Sequence, residues 1–272
     1  MALAETAIAR EQLAALPAWN PWRQALRATM LLGGREVRLA LRTPMYLVPN
    51  LLVPIFFYFI MLGSLKDFAN QAGLSNWEGF LLPMSLIFAV QGGSAGLNMV
   101  ADIESGYFDK LLLTPASRLA LLVGAMMADF VRIMAQAFIV LLVAVGAGLH
   151  FETGVPGAIV MVVLASFFGL AYSGIGFTMA LKTGNAQATQ SMWFLFMPFM
   201  FLTTMFAPKE ALSGWLSTAA TFNPMTYVLQ GLRSLSLEGW DAGDLAASMA
   251  TIVVWAGLSI GAAFLALRGR VR

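Results

Sequence analysis

Reactive side chains are scarce in this chain, and their distribution narrows its chemistry at once. Cysteine is absent and His150 is the single histidine. Disulfides, thiolate metal sites and a histidine-based triad are therefore excluded. No GxxxxGK[ST] phosphate loop occurs either. What remains is one charge-rich stretch, Asp102 to Arg118 (DIESGYFDKLLLTPASR), and an opposite-charge pair, Asp129 and Arg132, inside an apolar run. Such groups suit recognition and force transmission, not bond making. Within the stretch, Gly106 permits a tight turn, and Tyr107, Phe108, Leu111 and Leu112 share one apolar face at helical spacing. Asp102, Glu104, Asp109 and Lys110 place charges around that face. Thr114-Pro115 stops the short helix and caps the next. Asp129 and Arg132, three residues apart, lie on one helical face. Charges in hydrocarbon usually face a partner, so the expectation is a structural ion pair.

The elements that position these residues follow from composition. Of 272 residues 59% are hydrophobic and 11% charged, and the mean hydropathy is +0.77. A soluble domain is nearer about 25% charged. The length instead accommodates about six membrane spans of roughly twenty residues. The predicted fold is an all-α integral membrane protein of six transmembrane helices, with an N-terminal amphipathic interface helix and an extracytoplasmic re-entrant hairpin before the last span. Residues 1–19 read as a cytosolic tail, since no apolar core behind a basic start marks a cleaved signal. Asn20-Pro21 opens the interface helix over 20–43, with Arg23, Arg27, Arg35, Arg38 and Arg42 set apart from Trp22, Leu26 and Met30. Spans are expected over about 45–65, 80–101, 119–149, 155–181, 189–207 and 246–267. The 102–118 loop joins the second to the third. Residues 208–232 are too polar and broken to span. They carry two short amphipathic periods joined at Phe222-Asn223-Pro224, the pattern of a hairpin entering the outer leaflet. Residues 233–245 read as a polar outer loop. The whole of 20–272 is thus one transmembrane domain.

Charge fixes the orientation. With both termini inside, twelve of the sixteen Lys and Arg residues fall on the inner side. Lys66, Lys209 and Arg233 fall outside, and Arg132 lies within a span. That bias obeys the positive-inside rule. A net charge of +2 leaves no case for nucleic acid.

These residues resemble a known family. Six spans, the basic amphipathic N-terminal helix, the 102–118 stretch and the run W-L-S-T-A-A-T-F-N-P-M-T-Y-V-L-Q-G-L-R at 215–233 are similar to the ABC-2 permeases, in particular the daunorubicin-resistance and nodulation-type export permeases. The chain departs from that pattern at Ala207-Pro208-Lys209-Glu210. The resemblance implies a permease that dimerises, as a homodimer or with a related permease, in a bacterial inner membrane. It implies pairing with two ABC ATPase subunits, which bind ATP and Mg, while this chain carries no cofactor or metal. It implies that 102–118 docks on the ATPase and that cargo, an amphipathic or lipid-like molecule, moves outward. Candidate pathway residues are Gln91, Asn98, Phe199 and Phe206. The outer gate would be Trp215, Phe222, Asn223, Pro224 and Tyr227. Two other classes compete. An integral-membrane lipid-modifying enzyme would want acidic or histidine clusters, and an ion-coupled carrier several intramembrane carboxylates; neither set is in the sequence.

Overall fold

A computed structural model describes residues 47–64, 76–91, 96–113 and 117–270, with the single positions 30, 34, 38 and 67. Most of the expected interface helix over 20–43, the tail 1–19 and Thr114-Pro115 lie outside the described residues. Among the described residues the structure is helical, without strands. In chain order the helices are α1 Leu47–Ser64, α2 Trp77–Gln91, α3 Leu97–Glu104, α4 Tyr107–Leu112, α5 Arg118–Gly146, α6 Gly154–Thr183, α7 Ala186–Phe201, α8 Gly214–Phe222, α9 Pro224–Arg233 and α10 Ala242–Arg270. A 3-10 turn occupies Lys209–Ala211 and a π-helical turn Ser234–Glu238. Among the described residues three helices, within α5 and along α6 and α10, are long and apolar enough to cross a membrane; α1 and α2 contain shorter apolar helices.

α6 is the central post. It packs against α2, α3, α5, α7, α9 and α10, and its small residues explain how one helix can face so many neighbours. Where the surroundings are as apolar as the side chains, close backbone approach is what favours association. A Cβ on Gly169 would come within 2.8 Å of both Ile133 on α5 and Val90 on α2. One on Gly174 would meet Ser259 Oγ on α10 at 2.6 Å. Ser166, Ser173 and Thr178 direct their hydroxyls back to carbonyls of α6 itself, at 2.6, 2.8 and 2.8 Å. No polar group on this stripe is therefore wasted.

Three expectations need correction. The second span is not one continuous helix over 80–101. Gly96 caps α3 at φ 80°, a left-handed conformation that L side chains resist, so the chain breaks between α2 and α3. The expected fifth span, 189–207, is not helical throughout, because α7 runs Ala186–Phe201 and ends just beyond Pro198. Residues 233–245 are not a polar loop. Ser234, Leu235 and Ser236 are buried in the π-helical turn, and α10 begins at Ala242.

The break at Gly96 yields a stability test. A side chain there would pay for a positive φ and would also sit 2.5 Å from the Gly176 carbonyl oxygen. Gly96→Val should lower unfolding stability by about 2–4 kcal/mol, read as a drop in Tm of the detergent-solubilised protein. Gly257→Ala, in helix with nothing within 4 Å, should leave Tm unchanged or slightly higher.

Candidate functional site

Two regions at opposite ends of the bundle collect the predicted site residues. At the first, α3, α4 and the C-termini of α6 and α10 converge around a second apolar cluster. That cluster includes Met99, Val100, Phe108, Leu122, Phe177, Leu181, Ala263 and Leu267. The Gly106 turn, at φ 69° with open space around it, redirects the chain between α3 and α4. Phe108 is 2% exposed. It points into the bundle, and Leu112, one turn on, packs against the same cluster. A six-residue helix has too few turns to bury a stripe on each side, and the larger ring takes the core. Its partners, on α5, α6 and α10 as well as α3, tie the short helix to the far spans. Glu104, Asp109 and Lys110 are exposed, Asp102, Tyr107, Leu111 and Leu112 half-buried. Leu113 follows α4 at 87% exposure. The outward face therefore combines an apolar tip with two carboxylates and one ammonium, and sequence reasoning missed Leu113 because its spacing sets it off the helical stripe.

Above this end, Arg132 Nη2 donates to Asp129 Oδ1, with both side chains largely buried on α5. The geometry is an i, i+3 pair within one helix, the kind of self-neutralisation that an apolar setting requires.

The second region is a hydrogen-bonded knot at the other end. Asn223 caps α9 by accepting from the Met225 N–H at 3.0 Å. Its amide nitrogen donates to the carbonyls of Phe199 at 2.6 Å and Leu202 at 2.9 Å. One side chain thus serves the start of one helix and the open carbonyls at the end of another. Arg233 repeats the tactic, donating to Thr204 Oγ1 at 3.2 Å and to the Met205 carbonyl at 3.0 Å. Its guanidinium lies 3.8 Å from the Phe80 ring centroid, a cation–π contact in a desolvated place. Ser236 donates to the Gly79 carbonyl at 2.9 Å, Thr153 to the Leu235 carbonyl at 2.5 Å, and Asn76 Nδ2 to the carbonyls of His150 and Ser236 at 3.4 Å. Asn76, Thr153 and Ser236 were not singled out from the sequence, and Arg233 was read there only as an outer charge and the end of the 215–233 run. Arg233 directly followed a recognisable periodic helix, and its position at the end of a buried stripe was the available signal.

The remaining expected gate residues divide. Pro224 starts α9 and Tyr227 donates to the Thr221 carbonyl at 2.8 Å. Trp215 and Phe222 are 70% and 84% exposed. The proposed pathway residues are not gathered in one place. Asn98 is exposed on α3 at the first end, whereas Phe199 lies thirteen residues along α7, about 20 Å by helical rise, and stacks on Phe196 with centroids 5.7 Å apart. Phe206 stacks on Phe201 at 5.4 Å. The Gln91 side chain lies outside the described residues.

The described residues form an apolar helical bundle with a short helix at one end and a hydrogen-bonded knot at the other. The chain belongs to the ABC-2 type transporter family, whose pattern matches residues 27–237. Members are transport permeases, not enzymes, and separate partner subunits supply the ATPase activity. The daunorubicin resistance ABC transporter permease DrrB1 of Streptomyces coeruleorubidus is 24% identical over 245 residues, 87% of this chain and 86% of its own length. The transport permease ycf38 of Cyanophora paradoxa is 27% identical over 214 residues, 73% of this chain and 71% of its own length. A ycf38 permease from Porphyra purpurea shares 22% over 192 residues, 69% of this chain and 64% of its own.

The contrast between Phe108 and Leu113 is directly testable. Phe108→Ala should destabilise the fold by about 3–5 kcal/mol, the usual range for emptying a buried phenyl site. Leu113→Ala should stay within about 0.5 kcal/mol of the parent. Chemical or thermal unfolding of the two purified variants checks the difference.

Proposed function

We propose that the chain is the membrane-spanning half of an ATP-driven exporter for an amphipathic or lipid-like molecule, working as a pair of permeases with two ATPase subunits. Six crossings follow if α1, the α2–α3 pair and α7 join the three long helices. The break at Gly96 then lies within the second crossing and the 202–207 segment completes the fifth. With the positive-inside bias, α4 and the C-terminal arginines face the cytoplasm, and the α8–α9 hairpin faces outward as a re-entrant gate. Irregular backbone at that depth is acceptable only where protein covers it, and the carbonyls of Phe199, Leu202 and Met205 are each met by a buried side chain.

The observation that carries the reading is the two-sided build of α4. Its inner face is locked by Phe108, while Leu113, Glu104, Asp109 and Lys110 look away from the bundle. Such an element transmits a push because it cannot slide over its own protein, and it offers an apolar tip with flanking charge to a groove. The name of the S. coeruleorubidus relative, tied to daunorubicin resistance, supports a drug-like cargo. The Asp129–Arg132 pair serves as structure, because each charge is already occupied by the other.

Co-expression with the ATP-binding protein encoded beside this chain tests the proposal. The pair should co-purify and hydrolyse ATP. Leu113→Asp should reduce stimulated hydrolysis by about tenfold or more, as expected for loss of an interface anchor, with Tm unchanged. No co-purifying ATPase, or a Leu113→Asp variant of full activity, would refute it.

A further inference from the structure

The ends of α6 and α10 leave a cleft that force transmission does not use. At mid-length the two helices touch, and Ser259 Oγ donates to the Ala171 carbonyl at 2.5 Å. Toward their C-termini they part around a cavity of about 440 Å³, whose lining includes Thr178, Lys182, Ala262, Leu265, Gly269 and Arg270. Arg270 Nη1 donates to the Leu181 carbonyl at 3.0 Å, which fixes its guanidinium at the rim. Lys182 is exposed beside it. Among the described residues the salt bridge formed is Arg132–Asp129, and neither Lys182 nor Arg270 takes part in it.

The cleft opens onto a particular surface. Val254, Leu258 and Leu265 are 63%, 66% and 67% exposed. At spacings of four and seven they share one face of α10, with Ala262 beside them at the cavity. This apolar strip runs about 16 Å from Leu265 to Val254. Two neighbouring cations at a helix-end cleft, leading into an apolar strip along α10, match the two halves of one molecule. We propose that the cleft binds an anionic phospholipid, its phosphate between Lys182 and Arg270 and an acyl chain along the strip. Basic pockets between helices at the cytoplasmic surface favour such headgroups. A free anion would use the cations and leave the strip idle, so the lipid is the occupant that accounts for both. The proposal concerns the permease alone and stands whether or not the ATPase reading above is correct.

The full chain, delipidated in detergent without any ATPase, can be titrated with phosphatidylglycerol and phosphatidylcholine of equal chain length and followed by native mass spectrometry. The parent should retain one phosphatidylglycerol in preference to phosphatidylcholine. The Lys182→Gln/Arg270→Gln double variant should lose that preference by about tenfold or more, given two cations near the headgroup. Should the double variant fail to fold, Lys182→Gln alone, at an exposed side chain, should still cut it several-fold. Leu265→Asn should weaken binding with the cations intact. Equal retention of both lipids, unchanged preference in the charge variants, or displacement by millimolar inorganic phosphate alone would overturn the proposal.

Discussion

The fold depends on how closely α6 lets its neighbours approach. In an apolar medium there is no water to expel, and helices hold together through packing density and matched polar groups. Gly169 and Gly174 each accept a different neighbour at a distance that a Cβ would forbid, and the Gly176 carbonyl is where Gly96 seats the start of α3. The same post thus fixes α2 and α5 near its middle, α10 on another side, and α3 toward its C-terminal end. Because α3 and α4 hang from this contact, the geometry of the surface helix follows from glycines that are remote from it in sequence.

The two ends of the bundle solve different problems. At the knot, helices stop and turn where their carbonyls lose intrahelical partners, and each loss must be made good. Asn223, Arg233, Thr153, Asn76 and Ser236 do this with hydrogen bonds reaching across 21 to 160 residues of chain. Such a network resists sliding because moving one strand of it orphans several buried groups together. At the other end the contacts are apolar and the surface is charged. Rigidity there rests on one ring, Phe108, set among residues of four helices. A stiff far end and an anchored near end are what a lever needs.

Much of the architecture was legible in the sequence because hydropathy and length report directly on membrane helices. The long apolar runs around α5, α6 and α10 were of that kind, as was the cap-and-proline signal Asn223-Pro224 that begins α9. The ion pair of Asp129 and Arg132 was readable from spacing, since i and i+3 share a face regardless of tertiary context. What escaped was set by three-dimensional neighbours. The second span read as one apolar run, and only the left-handed Gly96 against the Gly176 carbonyl shows where its helix is interrupted. Residues 234–238 look polar by composition, yet both serines are buried, Ser234 donating to the Gly231 carbonyl three residues back and Ser236 to the Gly79 carbonyl 157 residues away. Phe108 and Leu111 are indistinguishable by period, and the fold alone chooses which one faces inward.

The central claim is that the surface helix α4 is fixed to its own bundle, so that a partner's motion passes into the spans. The chain contains no cysteine, so Lys110→Cys and Thr183→Cys, at exposed positions, can carry spin labels without background. Their distance should be measured by pulsed electron resonance in a complex that turns over ATP, both nucleotide-free and trapped with vanadate. A rigidly attached element predicts the same distance distribution in both states. A shift of several ångströms between them would show α4 swivelling independently of α6 and would contradict the claim.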